Sequence, residues 1–142
     1  RSSDLLGEAY SSNNLGNLYR LLGRQGEAIG AYRVALRSGE DFGNVPVQLR
    51  AIDGLLEIYL ERQNWADART YLDRRAALTL SSPSPTIEAV KTLIWLGEYY
   101  ERRGEVAAAK DTYTRALGLA RTVNVNSQVT ELTNRLIYLN RS

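Results

Sequence analysis

Residues 15–19 read Leu-Gly-Asn-Leu-Tyr, residues 55–59 read Leu-Leu-Glu-Ile-Tyr, and residues 96–100 read Leu-Gly-Glu-Tyr-Tyr. The second stretch begins 40 residues after the first, and the third begins 41 residues after the second. An alanine stands nine residues after the last tyrosine of each stretch. A motif that recurs at a nearly constant period predicts a protein built by stacking copies of one structural unit.

Within each copy, apolar residues recur at intervals of three and four, as at Leu15 and Leu18. This spacing predicts an amphipathic helix, because residues three or four apart lie on the same helical face. Short polar breaks at 23–26, 63–64 and 104–105 divide each copy into two helices joined by a tight antiparallel turn. The predicted helices cover residues 4–22, 26–38, 46–62, 65–79, 85–103, 105–121 and 127–140.

The joints between the copies contain all three prolines of the chain, Pro46, Pro83 and Pro85. Proline suits the first turn of a helix, because its missing N–H has no intrahelical partner there. Asn44 and Ser84 precede these turns, and their side chains are of the kind that accepts a hydrogen bond from a helix N-terminus. We therefore predict Asn44 and Ser84 as N-caps.

The last predicted helix, residues 127–140, carries Val129, Leu132, Leu136 and Leu139 on one stripe and polar residues elsewhere. A terminal element of a repeat array must cover the last apolar face and present a polar face to water, so this helix is interpreted as a cap. We expect residues 1–142 to form a single domain. Its parts are repeats at about 4–39, 45–79 and 85–121 and a capping helix at about 127–140.

The recurring positions resemble the signature of the tetratricopeptide repeat family. Besides the tyrosine motif, the first and third copies share Gly16 and Gly97 at the family's small site, Tyr32 and Tyr113 at its aromatic position, and Ala35 and Ala116 at its last alanine. The resemblance implies an all-α fold: a right-handed superhelical solenoid of three helix-turn-helix repeats plus a C-terminal capping helix.

The second copy departs from this pattern. Leu56 replaces the glycine of the small site, and Arg75 stands where the last alanine is expected. Since both side chains are larger than those they replace, we expect the helices of this pair to splay slightly. The period also exceeds the 34 residues common in the family, which implies longer helices.

Composition excludes most enzyme chemistry. The 142 residues include no cysteine, no histidine and no methionine, which removes disulfides, thiolate nucleophiles, histidine-based triads and Cys/His zinc sites. A net charge of +2 and scattered arginines do not predict nucleic-acid binding. No apolar run is long enough for a membrane helix, so we expect no membrane insertion.

The compartment is left open, because a chain without cysteine fits either a reducing cytosol or an exported protein without disulfides, and the cytoplasm is favoured. Because residue 1 is arginine, we expect a processed protein or a part of a longer one.

In the tetratricopeptide repeat family the first helix of each pair lines a concave surface, and the resemblance implies which side chains face it here. They are Tyr10, Asn13, Asn14, Asn17, Arg20 and Leu21 in copy one; Arg50, Asp53, Gly54, Glu57, Leu60 and Glu61 in copy two; and Lys91, Ile94, Trp95, Glu98, Glu101 and Arg102 in copy three. We take Asn13, Asn17, Arg20, Arg50, Asp53, Glu57, Lys91, Ile94, Trp95 and Glu98 as the candidate partner-binding residues. The alternative is that these polar side chains form an ordinary solvated face.

A carboxylate clamp and an acid/base pair are two more specialised sites that this surface could hold. Family members that clamp a C-terminal carboxylate use Lys, Asn and Arg at five places, of which only Asn17 and Lys91 match here. The carboxylate pair Asp53 and Glu57 has the spacing of an acid/base pair, but on a solvated helix such pairs are usually surface charges. We therefore predict no enzyme activity, no cofactor and no metal.

The sequence predicts a protein–protein interaction scaffold that binds a peptide or helix of a partner protein in its concave groove. The acidic residues Asp53, Glu57 and Glu61 favour a basic peptide, and Trp95 with Ile94 is the predicted apolar anchor. Trp95 packing against the second copy near Gly54 is the alternative. The alternative function is self-association, or a regulatory segment of a larger multidomain protein, and a homo-oligomer is included among the possible partners.

Overall fold

The computed structural model describes residues 2–141, with side chains from residue 6, and all regular structure in that range is α-helical. The helices are α1 (Ser2–Leu21), α2 (Gln25–Phe42), α3 (Val45–Glu61), α4 (Trp65–Thr79), α5 (Ile87–Arg102), α6 (Val106–Val123) and α7 (Asn126–Asn140). Within the described residues, the seven helices expected from the apolar periodicity are therefore present. The largest shift of a boundary is at the end of α2, which continues to Phe42 and stops where Gly43 adopts a left-handed φ of 74°.

Contacts between backbone segments gather these helices into two compact units, one up to Tyr71 and the other from Leu72 onward. In the first unit, α2 packs against both α1 and α3. Tyr59 of α3 stacks on Tyr71 of α4, with ring centroids 5.8 Å apart. The first unit is therefore a sequence of neighbouring helices, each in contact with the next.

Two glycines allow the central contact of the first unit. The ring of Tyr32, which is fully buried, lies between Gly16 of α1 and Gly54 of α3. A Cβ atom at either glycine would overlap the ring. Because neither position carries a side chain, α1 and α3 both approach the ring closely, and the tyrosine reaches between them.

The second unit repeats this contact and adds α7. Its core consists of Val90, Leu93, Ala109, Tyr113, Ala116, Ala120, Leu132 and Leu139. The ring of Tyr113 lies against Gly97, where a Cβ atom would overlap it. Leu132 and Leu139 are the residues that α7 contributes to this core, and Val129 and Leu136 pack against it. The stripe identified in the sequence is therefore the side of α7 that is turned to the protein.

Arg75 of α4 is accommodated inside the second unit. Its side chain is fully buried, and the guanidinium donates hydrogen bonds to the main-chain oxygen of Glu88 at 3.1 Å, to Glu88 Oε1 at 2.9 Å and to Thr92 Oγ1 at 2.8 Å. The long side chain of Arg75, which was expected to push the helices of this pair apart, thus connects α4 to the first turns of α5.

One of the two predicted N-caps is confirmed and the other is wrong. Asn44 Oδ1 accepts a hydrogen bond from Val47 N at 3.0 Å, as expected. Ser84 is not a cap, because α5 begins later, at Ile87, and Thr86 Oγ1 accepts from Ala89 N at 3.0 Å. Ser84 precedes Pro85, and the residue before a proline is disfavoured in the helical region, so the helix starts beyond the proline.

The turns inside the three helix pairs share one backbone conformation. Gly23, Gln63 and Gly104 have left-handed φ values of 77°, 58° and 79°. Glycine adopts this conformation without steric cost, whereas a side chain with a Cβ atom does not. Gln63 is therefore the strained member of the series.

Candidate functional site

A concavity of about 220 Å³ lies between α1 and α3 in the first unit. It is lined by Tyr10, Asn13, Asn14, Asn17, Arg20, Arg50, Asp53, Gly54 and Glu57. We call it the α1–α3 concavity. It brings together six of the ten candidate binding residues: Asn13, Asn17, Arg20, Arg50, Asp53 and Glu57. They meet there because their spacing of three or four residues keeps them on one face of each helix.

Tyr32 of α2 holds one residue of the lining, Asn17, in place. Its hydroxyl donates a hydrogen bond of 2.5 Å to Asn17 Oδ1, so a residue of α2 fixes a side chain of α1. Burial raises the pKa of Tyr32, and Glu57 raises it further while Arg20 lowers it. The phenol is therefore protonated at neutral pH and acts as a donor. This bond orients the Asn17 side chain, whose amide nitrogen can donate to a ligand.

An ion pair joins the two walls, because Arg20 of α1 donates a hydrogen bond to Glu57 of α3. The side chains of Arg20 and Glu57 are 31% and 59% exposed, so the pair adds at most about 1 kcal/mol to stability. The charged residues of the lining are Arg20, Arg50, Asp53 and Glu57, and their formal charges cancel. The acidic centre expected from the sequence is therefore absent from this concavity.

Asn13 is the most deeply buried polar side chain of the lining, with 5% of its surface exposed. Its Oδ1 atom is buried and has no hydrogen-bond partner among the described residues. A buried acceptor without a donor costs about 1–3 kcal/mol. Asn13 lies in the lining of the concavity, on the helix face to which the sequence assigned it, and its deep burial has no signal in the sequence.

The other four candidate residues lie on α5 in the second unit. Lys91 is exposed, and its Nζ atom lies 3.6 Å from Glu88 Oε2. Ile94 is partly buried and packs against the core of its unit, and Trp95 is also partly buried. Glu98 Oε1 lies 3.8 Å from Arg135 NH1. Two of these four side chains are therefore held by ion pairs within the unit.

The assignment of Leu60 to the concave face is wrong. Leu60 is 1% exposed and belongs to the buried side of α3. The tyrosine motif of the second copy is buried at Leu55, Ile58 and Tyr59 as well, so α3 has a wider apolar face than the alignment with the other copies implied. Because α3 contacts both α2 and α1, residues on more than one side of α3 are buried.

Sequence reasoning missed a polar cluster in the second unit. Tyr113 donates a hydrogen bond of 2.8 Å to Glu101 Oε1 and accepts one of 3.0 Å from Arg135 NH1. Burial, followed by the hydrogen bond to Glu101, raises the pKa of Tyr113 well above its ordinary value, while Arg135 lowers it. The sequence contained a signal for this contact, because Arg135 follows Gly54 by two repeat periods, just as Tyr113 follows Tyr32. Arg135 therefore contacts Tyr113 at the position where Gly54 contacts Tyr32.

No helix between residues 2 and 141 combines the length and the apolar character needed to cross a bilayer. No group of three or more acidic, histidine or cysteine side chains in the described part of the chain is arranged to hold a metal ion.

In the first and third helix pairs, a tyrosine of the second helix packs on a glycine of the first. Helix pairs that recur with a period of about 40 residues define a helical repeat protein. Residues 11–46 match one family model of the tetratricopeptide repeat, and residues 90–123 match another. No curated protein matches the chain. Residues 11–46 and 90–123 are therefore tetratricopeptide repeats. Such repeats generally mediate protein–protein interactions, and proteins built from them are typically non-enzymatic scaffolds.

Proposed function

We propose that the α1–α3 concavity binds a segment of a partner protein. The observation that carries this proposal is its preformed polar lining, in which Tyr32 holds Asn17 and Arg20 pairs with Glu57 before any ligand arrives. A site whose side chains are already ordered loses less conformational entropy when it binds. The six candidate residues of this lining are the proposed contacts, and the four on α5 stay a prediction from the sequence.

The size of the concavity favours a protein segment over a small substrate. Pockets for small molecules are commonly about 300–1,000 Å³ and largely apolar. Here about 220 Å³ is lined mainly by amide and charged side chains. This volume accommodates one or two side chains of a peptide or helix that runs across α1 and α3, and the rest of the segment lies outside it.

Selection from a displayed peptide library against the intact chain tests this proposal. Asn14 is exposed and lines the concavity, so Asn14→Trp fills it without changing the core. We expect selected peptides to lose at least tenfold in affinity for this variant. Arg37→Trp, at an exposed site on α2 outside the lining, is the matched control and should bind normally. Equal binding to both variants would remove the concavity as the site.

Self-association is a second candidate function, and an exposed apolar face on α1 favours it. Leu15, Leu18 and Leu22 are 42%, 50% and 60% exposed. Leu55 and Ile58 hold the places of Leu15 and Leu18 in the next copy, and both are fully buried in a unit where α2 packs against α3. A second copy of the chain would cover this face in a two-fold pair in which each α1 contributes the same leucines.

Light scattering over a wide concentration range tests self-association. A dimer that Leu18→Lys converts to a monomer supports it, since a lysine at the centre of the paired faces would leave two like charges close together. Leu21→Lys, at a site that is 82% exposed and one residue from Leu22, is a control for the effect of charge alone. A chain that stays monomeric at every concentration argues against this second function.

A further inference from the structure

The exposed apolar face of α1 has the residue spacing of a helix-pairing surface. Ser11, Leu15, Leu18 and Leu22 recur at intervals of four, three and four residues, and all four are exposed. The contact positions of a two-stranded coiled coil have the same spacing. Leu22 N donates a hydrogen bond of 3.0 Å to Leu18 O, so the helical geometry continues to the last of the four. We call these four residues the α1 stripe.

Later copies of the repeat show how such a stripe is covered. Leu55 and Ile58 hold the equivalent places on α3, and they are fully buried in a unit where α2 packs against α3. Leu132 and Leu139 hold the equivalent places on α7, and they belong to the core of the second unit, where α6 packs against α7. In both cases a helix lies on the stripe. On α1 the same positions are open to solvent, so a helix from outside the described chain can cover them.

The α1 stripe complements itself when two copies run antiparallel. The first position of one stripe then meets the last position of the other, so Ser11 lies against Leu22 of the second copy and Leu15 lies against its Leu18. A small side chain faces a large one at both ends, and leucines fill the two central layers, which packs the contact evenly. A parallel pair would place the two Ser11 side chains against each other and leave a gap there.

Glu8 disfavours the parallel orientation. It precedes Ser11 by three residues, so it continues the line of the stripe, and it is exposed. In a parallel pair the two Glu8 carboxylates would meet, and like charges at facing positions of a helix pair are unfavourable. In an antiparallel pair Glu8 lies instead beside the turn after α1 of the second copy, which contains Arg24.

We propose that two copies of the chain pair through the α1 stripe in the antiparallel orientation, with Leu15 and Leu18 at the centre. Asn14 and Leu21 are seven residues apart and lie on one flank of the stripe, so Asn14 of one copy is next to Leu21 of the other. Since Asn14 lines the α1–α3 concavity, the second copy adds an apolar side chain to the rim of that site. This inference rests on self-association, the second candidate function, and gives the orientation of that pair.

Cysteine cross-linking of the full chain reports the orientation, because the chain contains no cysteine of its own. Asn14→Cys and Leu21→Cys change exposed residues and leave the stripe intact. At a concentration where light scattering detects a dimer, a short bis-maleimide reagent should join an equal mixture of these variants into a covalent dimer. We expect this reaction to be at least tenfold faster than in a mixture of Leu21→Cys with Ser127→Cys, whose cysteine replaces an exposed residue of α7.

Ser11→Cys alone reports the opposite orientation. In a parallel pair the two cysteines would face each other and form a disulfide in a glutathione buffer. In the antiparallel pair they lie on opposite sides of the centre, about 16 Å apart along the helix axis, which a disulfide cannot span. A disulfide-linked dimer that forms faster from Ser11→Cys than from Ser127→Cys would therefore overturn the proposal.

Leu15→Ala and Leu21→Ala compare the stripe with its flank. Both substitutions remove the same atoms from an exposed leucine of α1. Because the pair buries Leu15 of both copies near its centre, we expect Leu15→Ala to raise the dimer dissociation constant about tenfold or more, and Leu21→Ala to raise it less than about threefold. Sedimentation equilibrium measures both constants. Equal effects of the two substitutions would contradict the proposed contact.

The outcomes separate this proposal from self-association itself. A dimer that Leu18→Lys disrupts, but that forms the Ser11→Cys disulfide, keeps self-association and removes the antiparallel orientation. A dimer that survives Leu18→Lys and is not cross-linked in the mixture of Asn14→Cys with Leu21→Cys removes the α1 stripe as the contact. A chain that stays monomeric at every concentration removes both proposals.

Discussion

Arg135 lies over the ring of Tyr113, with its Cζ atom 5.5 Å from the ring centroid, and donates a hydrogen bond to the same tyrosine. In the first unit the equivalent tyrosine, Tyr32, faces Gly54 instead. Arg135 and Gly54 hold the same position of the repeat, two periods apart. The tyrosine is therefore present in both units, and its ring is covered by the main chain at Gly54 in the first unit and by the guanidinium of Arg135 in the second. The two arrangements predict different responses to mutation.

Gly54→Ala should destabilise the first unit. The added methyl group would overlap the Tyr32 ring, which is held on its other side by Gly16. Overpacking of this kind costs about 2 kcal/mol. Urea unfolding monitored by circular dichroism measures the loss.

The matched control for Gly54→Ala is Gly30→Ala. A Cβ atom at Gly30 of α2 meets no neighbouring atom within 4 Å. Because alanine is the better helix former, this change should stabilise the chain by roughly 0.5–1 kcal/mol. The same sign of effect at both sites would contradict the packing assigned to Tyr32.

Stability should decline in alkali, partly through Tyr113. Burial and the hydrogen bond to Glu101 raise the pKa of Tyr113 above its ordinary value of 10.0. The folded chain then keeps the phenolic proton at a pH where the unfolded chain releases it. This contribution to stability is complete below pH 10 and is lost as the pH rises from there towards the folded pKa.

Tyr113→Phe therefore should lose less stability than the unaltered chain between about pH 10 and pH 11. At neutral pH the variant is the less stable one, by about 1 kcal/mol, because the bonds to Glu101 and Arg135 are gone. Tyr10→Phe, at an exposed tyrosine, should follow the unaltered chain. Parallel curves for Tyr113→Phe and the unaltered chain would contradict the link. The free energy of unfolding in urea at a series of pH values gives these curves.

The elements of this fold were predictable from the sequence because each rests on local spacing. Apolar residues at intervals of three and four identified the helices, and Gly16 and Gly97 were assigned to the small site where a neighbouring helix approaches. Gly54 was assigned only to the concave face. Its packing on Tyr32 joins two successive copies, and the motif within one copy contains no information about that contact.

The parts of the candidate site that sequence reasoning missed all depend on how helices cross. The Arg20–Glu57 pair, which neutralises one carboxylate of the lining, forms between residues 37 positions apart. The burial of Asn13 Oδ1 is not set by the local spacing of residues along α1. Likewise, serine and threonine both favour the N-cap position, so residue type does not distinguish Ser84 from Thr86. Thr86 is the N-cap because α5 begins at Ile87, beyond Pro85.

Gln63→Gly should stabilise the chain. Gln63 has a left-handed φ of 58° at the turn where the other two pairs have glycine. Removing the Cβ atom relieves about 1 kcal/mol of strain, part of which is offset by the greater freedom of glycine in the unfolded chain. Thermal unfolding should show a midpoint higher by about 2 °C. The converse change, Gly23→Ala at a φ of 77°, should lower it, and a fall for both variants would contradict the interpretation.

Arg75→Met should destabilise the second unit, although arginine is absent from this position in the other copies. The buried guanidinium is bonded to Glu88 and Thr92, and its removal leaves the Thr92 hydroxyl in a less satisfied environment. Glu88 is 42% exposed and can be hydrated, so the expected loss is about 2 kcal/mol rather than the larger cost of a wholly buried pair.

Lys91→Ala provides the comparison for Arg75, because Lys91 pairs with the same carboxylate at 3.6 Å but is exposed. Its loss should change the free energy of unfolding by less than about 0.5 kcal/mol, and added salt should reduce that small effect further. The Arg75→Met effect should largely persist in salt, since the guanidinium of Arg75 is fully buried and also bonds to the buried Thr92 hydroxyl. Urea unfolding of both variants at low and high salt measures the difference, and equal effects of the two substitutions would show that Arg75 contributes no more than a surface charge.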